Sequence, residues 1–498
     1  MSAKDTLCRQ PVVAIVGHID HGKTTLLDYI RKTSVVDKEA GGITQRVSAY
    51  ETIHKGAEGV RAITFIDTPG HEAFQKMRRR AGAAADIAIL IVASDDGVKP
   101  QTIEAHKAIA DAGIPFIVAF TKADKDTANI DKAKESVMKQ GIYLEGLGGE
   151  VPWVSVSGKS GAGVPELLDL IILVADLQNI SCDTEKPVEA VVIESTRDAR
   201  SGVSATLIVK QGTMKVGGFA VSGSSYAPLR AIENYAGEKV SELSCGKPAR
   251  ITGFTEEPTV GATLITVETK KEAEKMVAEN KVPVSNERTH AEKEDENKVT
   301  LRIALKADTV GSLEALEYEI GKINKEKVEM LIASRGIGAI SENDVKPLIG
   351  FSPAMVLGFN VKVEASSKDL ADRQGIIVET RSIIYELADW LKEEVKKHEP
   401  ELPADTVTGT ANILKHFSTA GSKHVIGGKV QTGVLRLNDR VTIIRRGVEV
   451  SHGRIVNLQA QKADVSSVPE GMEFGAQIDT KADIISGDTI SASPNKHN

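Results

Sequence analysis

The stretch that decides the fold reads Gly17-His18-Ile19-Asp20-His21-Gly22-Lys23-Thr24, between the apolar run Val12–Val16 and a helical pattern opening near Thr24. It matches G-x-x-x-x-G-K-[ST] in the strand–loop–helix setting that gives this spacing its meaning. Glycines let backbone N–H groups converge on phosphates at a helix N-terminus, where the dipole favours anions. In that frame Gly17, His18, Ile19, Asp20, His21, Gly22, Lys23, Thr24 and Thr25 form a phosphate loop. Lys23 reaches the β- and γ-phosphates and Thr24 ligates Mg²⁺. Asp20 either caps the loop or holds a monovalent cation beside the β–γ bridge.

Working outward, further β-branched runs follow at Ala62–Ile66, Ile87–Val92, Phe116–Phe120 and Val154–Val156, with amphipathic stretches such as Gln101–Ala112 and Val164–Ala175. Nearly continuous apolar runs are those of parallel strands buried on both faces. The alternation predicts a doubly wound α/β domain over 9–178. Over 186–283 the strands are broken by Gly and Pro, as in a small β-barrel. The charged stretch Ser285–Lys298 reads as a solvated linker or frayed helix. Over 299–398 the βα pattern returns, with a capping box at Ser341–Asp344. It closes on a helix carrying Ile383, Ile384, Leu387, Leu391 and Val395, stopped by Pro400 and Pro403. At about 17 residues that helix is roughly 25 Å long, enough to hold two domains apart.

The segment 404–495 is β-rich and repeats the earlier barrel. Gly212–Gly218 lines up with Gly433–Asp439, Leu229–Ile232 with Gly453–Ile455, and Val240–Gly246 with Val465–Gly471. The alternative is that any two small barrels share hairpin glycines. The predicted fold class is therefore α/β and multidomain: a P-loop domain, a β-barrel, a small α/β domain with a connecting helix, and a second β-barrel.

Composition agrees. At roughly 150 residues per domain, a chain of 498 residues holds three or four. Its 62 Lys+Arg against 69 Asp+Glu give a net charge of −7, and 41% hydrophobic with 26% charged residues reads as soluble and globular. A histone-like, collagenous or wholly disordered chain is excluded. An aromatic content of 4% argues against a single-strand binder built on many stacked rings. Cys8, Cys182 and Cys245 are few and scattered, so neither a disulfide framework nor a cysteine zinc site is expected, and a reducing cytoplasm is the natural compartment. No signal peptide precedes Pro11, and Ile87–Ala93 is too short to span a bilayer.

A phosphate loop does not choose between ATP and GTP; the next motifs do. Asp67-Thr68-Pro69-Gly70-His71 follows one strand, placing Asp67 in the Mg²⁺ shell and the Gly70 N–H at a γ-phosphate. Thr121-Lys122-Ala123-Asp124 follows another. A carboxylate there accepts from both guanine N1–H and the exocyclic amine, a donor pair adenine lacks. Ser157-Gly158-Lys159 follows the fifth strand, with backbone N–H groups for guanine O6. All lie at carboxyl ends of strands, where open α/β sheets bind ligands. Thr44, in Gly41-Gly42-Ile43-Thr44, is a candidate second Mg²⁺ ligand on a switch loop. His71 stands where a group could orient the attacking water; the alternative is a structural histidine. No arginine finger is visible, so intrinsic hydrolysis should be slow until a partner presses His71 into place.

With these motifs in order, the sequence resembles bacterial-type translation initiation factor two, a family of translational GTPases. The resemblance rests on Gly17–Thr24, Glu39–Gln45, Asp67–His71 with Phe74, and Asp95–Thr102, and later on Leu305–Asp308, Val310–Ser312, Val356–Val361 and Gly471–Glu473. It implies binding to the small and large ribosomal subunits, and engagement of formyl-methionyl initiator tRNA by the last barrel. It further implies GTP hydrolysis triggered by ribosomal RNA through the histidine matching His71. The implied protein is a cytoplasmic monomer with GTP/GDP and Mg²⁺ as cofactors and no membrane partner.

The sequence departs from the family at several points. N-K-x-D reads Thr121-Lys122-Ala123-Asp124, so Thr121 keeps one hydrogen bond of the usual amide. S-A-K reads Ser157-Gly158-Lys159, and the common N-terminal extension is absent. In the last barrel a basic stretch reads Gln459-Ala460-Gln461-Lys462, and two cysteines near the formyl-methionine read Gly428 and Phe474. Lys76, Arg78, Arg79 and Arg80 are either a solvated helix face or an RNA contact, and Arg445, Arg446 and Arg454 are candidates to hold the tRNA acceptor end. Two alternatives stand beside the main reading: a ribosome-associated GTPase with weakened formyl-methionyl-tRNA recognition, and a tRNA carrier using GTP only as a conformational ligand. A P-loop ATPase or kinase is disfavoured by Asp124.

Overall fold

Six strands form the first sheet: β1 (Val12–Gly17), β2 (Ser48–Gly56), β3 (Gly59–Asp67), β4 (Ile87–Ala93), β5 (Phe116–Thr121) and β6 (Trp153–Ser155). Their order is β2-β3-β1-β4-β5-β6. All neighbours are parallel except the β2–β3 hairpin. Every residue of β1 and β4 is buried, which is why both read as unbroken apolar runs. Helices α1 (Lys23–Arg31) and α5 (Val164–Leu177) cover one face through Leu26, Leu27, Leu167 and Ile171. α3 (Pro100–Ala112) and α4 (Ile130–Met138) cover the other through Ala105, Ile109, Ala133 and Val137. Between them in sequence, α2 (Gln75–Ala84) follows the turn Glu72–Phe74. This computed structural model describes residues 7–33, 44–56, 59–198, 200–280, 299–323, 328–398, 407–461, 463–480 and 482–493. The readings placed on 39–43, 285–298, Pro400, Pro403 and Lys462 lie outside the described residues.

The next sheet contains β7 (Glu189–Asp198), β8 (Gly202–Gln211), β9 (Phe219–Ser222), β10 (Ser225–Pro228), β11 (Pro248–Phe254) and β12 (Thr263–Val267). They lie in the order β10-β9-β12-β7-β8-β11, antiparallel throughout. The sheet curls until the Thr255 N–H reaches Tyr226 O at 3.0 Å, wrapping a core of Val192, Leu207, Met214, Ile251 and Leu264. α6 (Lys270–Asn280) then packs on it through Ala273 and Val277.

A third sheet, β13 (Val299–Ala307), β14 (Val328–Ile337), β15 (Ala354–Phe359) and β16 (Ile377–Arg381), runs β14-β13-β15-β16 and is wholly parallel. Its helices are α7 (Val310–Lys322), α8 (Glu342–Val345), α9 (Ala365–Gln374) and α10 (Ile384–Lys397). The capping box at Ser341 is present. α10 is 14 residues long, about 21 Å. Its Ile384, Leu387, Leu391 and Val395 are buried in a core that also takes Phe74 and Met77 near α2 and Ile193 and Ile208 from the barrel. These parts belong to one compact unit, Met1–Glu399. Within it we propose three domains, 9–178, 186–283 and 299–398.

The second unit is Pro400–Asn498, for which we propose a single domain over 404–495. Its strands are β17 (Gly409–Ala420), β18 (Lys423–Arg436), β19 (Arg440–Arg445), β20 (Val448–Ala460), β21 (Glu473–Thr480) and β22 (Thr489–Ser493). The order β17-β22-β19-β20-β21-β18 returns to β17, so the barrel is closed. The repeat read from sequence has a structural counterpart. Gly212 and Gly433 both adopt positive φ, 75° and 72°, Gly212 ahead of the strand Met214–Lys215 and Gly433 near the end of β18. Met214 then pairs with Leu243, and Leu435 with Val468, ahead of Gly246 and Gly471 at φ 83° and 81°.

Cys182 and Cys245, 63 residues apart in sequence, lie next to each other with Cα atoms 6.4 Å apart, and Ser181–Cys182 pairs with Leu7–Cys8.

Within the first unit, Glu194 of β7 is buried where the barrel meets the N-terminus of α7. Its Oε1 accepts from the Ser195 N–H at 3.0 Å and the Gly311 N–H at 3.5 Å. Burial pushes this carboxyl up to about 7. The stability that goes with the protonated form is present below the ordinary carboxylate range and is lost as pH rises through about 7. Glu194→Gln should therefore stabilise the chain by about 2 kcal/mol relative to wild type at pH 8 and by far less at pH 5. Thermal melts at both pH values check this; an equal offset at the two would refute it.

Candidate nucleotide site

The carboxyl ends of β1, β3 and β5 open on one cavity of about 390 Å³, lined among others by Lys23, Thr24, His71, Asp124, Lys159 and Tyr385. The loop after β1 owes its shape to glycine. Gly17 sits at φ 151°, and a Cβ there would lie 2.7 Å from Ile91 O. Gly22, at φ 83°, caps α1. Lys23 is 6% exposed, and its Nζ donates to Gly17 O at 2.9 Å and His18 O at 2.6 Å. Burial pushes its pKa down to about 8. Gly70 abuts this ammonium so closely that a Cβ there would collide with Lys23 Nζ. Thr24 Oγ1 and Thr44 Oγ1 lie 3.0 Å apart. Octahedral Mg²⁺ at roughly 2.1 Å from its ligands sets adjacent oxygens about 3 Å apart, so the pair fits two neighbouring corners. Asp67 is buried at the end of β3.

The expected loop residues divide in two. Ile19, Asp20, Gly22, Lys23, Thr24 and Thr25 line the cavity. His21 turns inward: its Nδ1 accepts from the Ala93 N–H at 3.3 Å, its Nε2 lies 3.5 Å from Asp96, and burial pushes it down to about 4. It ties the loop to β4, with the His18 ring against it at 4.8 Å. The Ile19 N–H donates to Gln101 Oε1 at 3.0 Å, a loop partner within Asp95–Thr102 to which the sequence reading assigned no role.

At the base end, Ser157 Oγ donates to Asp124 Oδ1 at 2.7 Å and accepts from the Ser160 N–H at 3.1 Å. The Ser157 hydrogen bond, first among the causes, holds Asp124 below its ordinary value. Lys122, at φ 57°, and Lys159 line the same wall. The hydrogen bond that Thr121 keeps goes to His21 O, tying this loop to the phosphate loop. Gly158 has a steric reason: a Cβ there would lie 2.8 Å from Leu26 N, so only glycine lets the loop close on α1.

His71 caps the turn Glu72–Phe74, its Nδ1 accepting from the Ala73 N–H at 3.0 Å. Burial, then Lys322 and Arg78, push it down to about 4, so the ring is neutral at pH 7. Its edge meets the Tyr385 ring, centroids 4.2 Å apart. Two residues of the α/β sheet's last loop-and-helix junction also reach the site: Gln45 Nε2 donates to Ser382 O at 2.8 Å, and Gln45 Oε1 accepts from the Ile384 N–H at 3.2 Å. Sequence reasoning missed Tyr385 and gave Gln45 no role of its own; the local signs were that Gln45 follows Thr44 and ends the stretch Glu39–Gln45.

The basic cluster after His71 largely dissolves. Arg78 is buried, donating to Pro69 O at 2.9 Å, to His71 O and to Glu104. Arg80 makes a two-pronged pair with Glu314 at 2.6 and 2.7 Å. Lys76 and Arg79 remain exposed.

In the last barrel, Gly428 and Phe474 stand opposite each other on β18 and β21. Phe474 is 4% exposed, and its ring fills the space a side chain at 428 would take, 2.9 Å from a Cβ built there. Phe474 is part of the barrel core. Arg445 is paired with Asp488 at 2.8 Å and also donates to Asp483 O, whereas Arg446 and Arg454 are exposed. Gln459 donates to Asp464 at 2.7 Å.

Known proteins share this organisation. Residues 9–176 match the elongation factor Tu GTP binding domain, 187–267 elongation factor G domain 2, and 271–392 translation-initiation factor 2. Translation initiation factor IF-2 of a Thermotoga species is 40% identical over 98% of this chain and 72% of the relative. That of Fervidobacterium nodosum is 39% identical over 98% of this chain and 72% of the relative. That of a Nitratiruptor species is 39% identical over 97% of this chain, which spans 58% of that relative's length. On this identity and coverage, the chain belongs to the translation initiation factor IF-2 family.

Proposed function

We propose that this chain is a Mg²⁺-dependent GTPase of translation initiation, acting as a cytoplasmic monomer on the ribosome. It would help place initiator tRNA and promote joining of the subunits, with ribosomal RNA stimulating hydrolysis. The observation that supports this most is the meeting, at one cavity, of Lys23, the Thr24–Thr44 hydroxyl pair, Asp124 with Ser157, and His71. Among the described residues no helix is long and apolar enough to cross a membrane.

The roles follow from chemistry. Asp124, held ionised, accepts from guanine N1–H and the exocyclic amine. Lys159 and the N–H groups around Gly158 approach guanine O6. Lys23 binds the β- and γ-phosphates; an ammonium already depressed by burial gains from a neighbouring anion. Thr24, Thr44 and Asp67 would hold Mg²⁺, which when bound neutralises charge on the β- and γ-oxygens. Asp20, at φ 60°, is where a monovalent cation would sit beside the bridging oxygen. His71, neutral at pH 7, orients the attacking water through a ring nitrogen.

A second reading concerns the last barrel, and the buried Phe474 favours it. With Phe474 in the core and Arg445 engaged by Asp488, formyl-methionyl recognition should be weaker than the family implies. The full chain is expected to bind formylated and unformylated methionyl-tRNA with similar affinity and a shallow salt slope, flattened by nearly two units for about two lost phosphate contacts. Steep salt dependence with rejection of the unformylated form would overturn this.

Two substitutions test the main reading. Asp124→Asn should lose GTP and gain xanthosine triphosphate, because the donor at guanine C2 becomes a carbonyl that Asn can serve. Titration of a fluorescent nucleotide checks it, and unchanged GTP affinity would refute the pocket. His71→Ala should keep GTP binding within a few-fold while ribosome-stimulated hydrolysis falls roughly 10²-fold or more. Normal turnover on ribosomes would leave His71 a purely structural role.

A further inference from the structure

Three contacts run from the α/β domain to the two loops that border the phosphate end of the cavity, two from the start of α10 and one from α7. Gln45 is bound at both ends of its amide, to Ser382 O and the Ile384 N–H. Glu72, next to His71, accepts from Tyr318 Oη at 2.5 Å and Lys322 Nζ at 3.2 Å. The third is the Tyr385 ring, perpendicular to the His71 ring at 4.2 Å. Tyr385 and Ile384 line the same cavity as Lys23 and Thr24.

The state of His71 in this arrangement is a committed one. Nδ1 already accepts from the Ala73 N–H, so the neutral ring carries its proton on Nε2. The backbone at 71, with φ −68° and ψ 147°, is that of a helix cap. The ring's edge is covered by Phe74, 6.1 Å away, and by Tyr385. To direct a ring nitrogen at a water beside a γ-phosphate, the imidazole must give up part of this packing. An edge-to-face pair adds an attraction beyond its buried area, and here it holds the capped position.

We propose that Tyr385 is a positioning residue of the hydrolytic reaction, holding His71 in the capped resting orientation so that turnover waits for a partner to break the ring contact. This rests on the GTPase reading above. Gln45 and Glu72 are anchored to the same domain, so a partner that shifts α10 and α7 would free both loops together with His71. The brake is therefore mechanical: it needs no added charge, only separation of two rings.

The test uses the full chain. Intrinsic and ribosome-stimulated GTP hydrolysis are measured for wild type, Tyr385→Ala, Tyr385→Phe and the double variant His71→Ala/Tyr385→Ala. Tyr385→Ala is expected to raise intrinsic kcat about two- to ten-fold, with KM within two-fold of wild type. Tyr385→Phe, which keeps the ring, should restore the low rate, and the double variant should lose the gain. Thermal melts confirm folding, and Tyr385→Leu replaces Tyr385→Ala should the latter unfold. An intrinsic rate unchanged or lowered in Tyr385→Ala or Tyr385→Leu, or a gain that survives without His71, would overturn the proposal while leaving the GTPase reading intact. Absence of GTP hydrolysis in the wild type on ribosomes would overturn that reading and this inference with it.

Discussion

The Lys23 ammonium lies 6% exposed at the head of α1, held by two carbonyls of its own loop. A cation that deep is costly unless its donors are met. Gly17 O and His18 O meet two of three, and burial still pushes the group down to about 8. The site is thus short of negative charge, and the surrounding architecture brings acceptors and oxygen ligands to that one point. The parallel order β3-β1-β4-β5 sends three loops to a common edge. Glycine at 17 and 70 lets backbone approach where a Cβ would meet Ile91 O or the ammonium itself. His21 and Thr121, both buried, tie the phosphate loop to β4 and β5 and fix it before any ligand arrives.

The same edge is continuous with the rest of the first unit. Gly311 at the start of α7 sits against Met77 of α2 so closely that a Cβ would collide with it. Arg80 pairs with Glu314 across this seam, and Arg46 with Asp308. Surface pairs of this kind are individually worth little. Here they flank a shared apolar core of Phe74, Met77, Leu316 and Leu387. Close-packed cores move as bodies and not by gradual deformation. A displacement of α2 must therefore be shared by α7 and α10, and the interlocking at Gly311 is the physical reason.

What could be read from sequence was local. Runs buried on both faces gave the strands, and the order of the short motifs gave the loops at their carboxyl ends, because each signal spans fewer than ten residues. The partners of single side chains were not legible. Lys76–Arg80 read as one basic face, yet Arg78 and Arg80 turn to acceptors 26 and 234 residues away. Gln45 and Tyr385 meet their partners across more than 300 residues of chain. The Gly158 substitution looked like a minor change until its distance to Leu26 was known. Gly428 and Phe474 looked like two separate losses; side by side on β18 and β21 they are one exchange, a large ring occupying the volume a small residue leaves.

The repeated barrels show where such reading stops. Both place a left-handed glycine before a short pairing that comes ahead of a second left-handed glycine, so turn chemistry alone marks the duplication. Their outer faces differ. In the first barrel, Ile193 of β7 and Ile208 of β8 join the core that holds α2 and α7. The same packing drives Glu194 out of water and pushes its carboxyl up. In the second barrel, β17 carries Leu414 and Phe417 at 54% and 59% exposure. Alternation along a strand fixes which residues share a face, but not which face is covered. That is settled by what packs outside, and a period of two is the same whether a neighbour is present or not. The two barrels therefore share an internal plan legible in glycines and differ in an external environment that only the folded chain supplies.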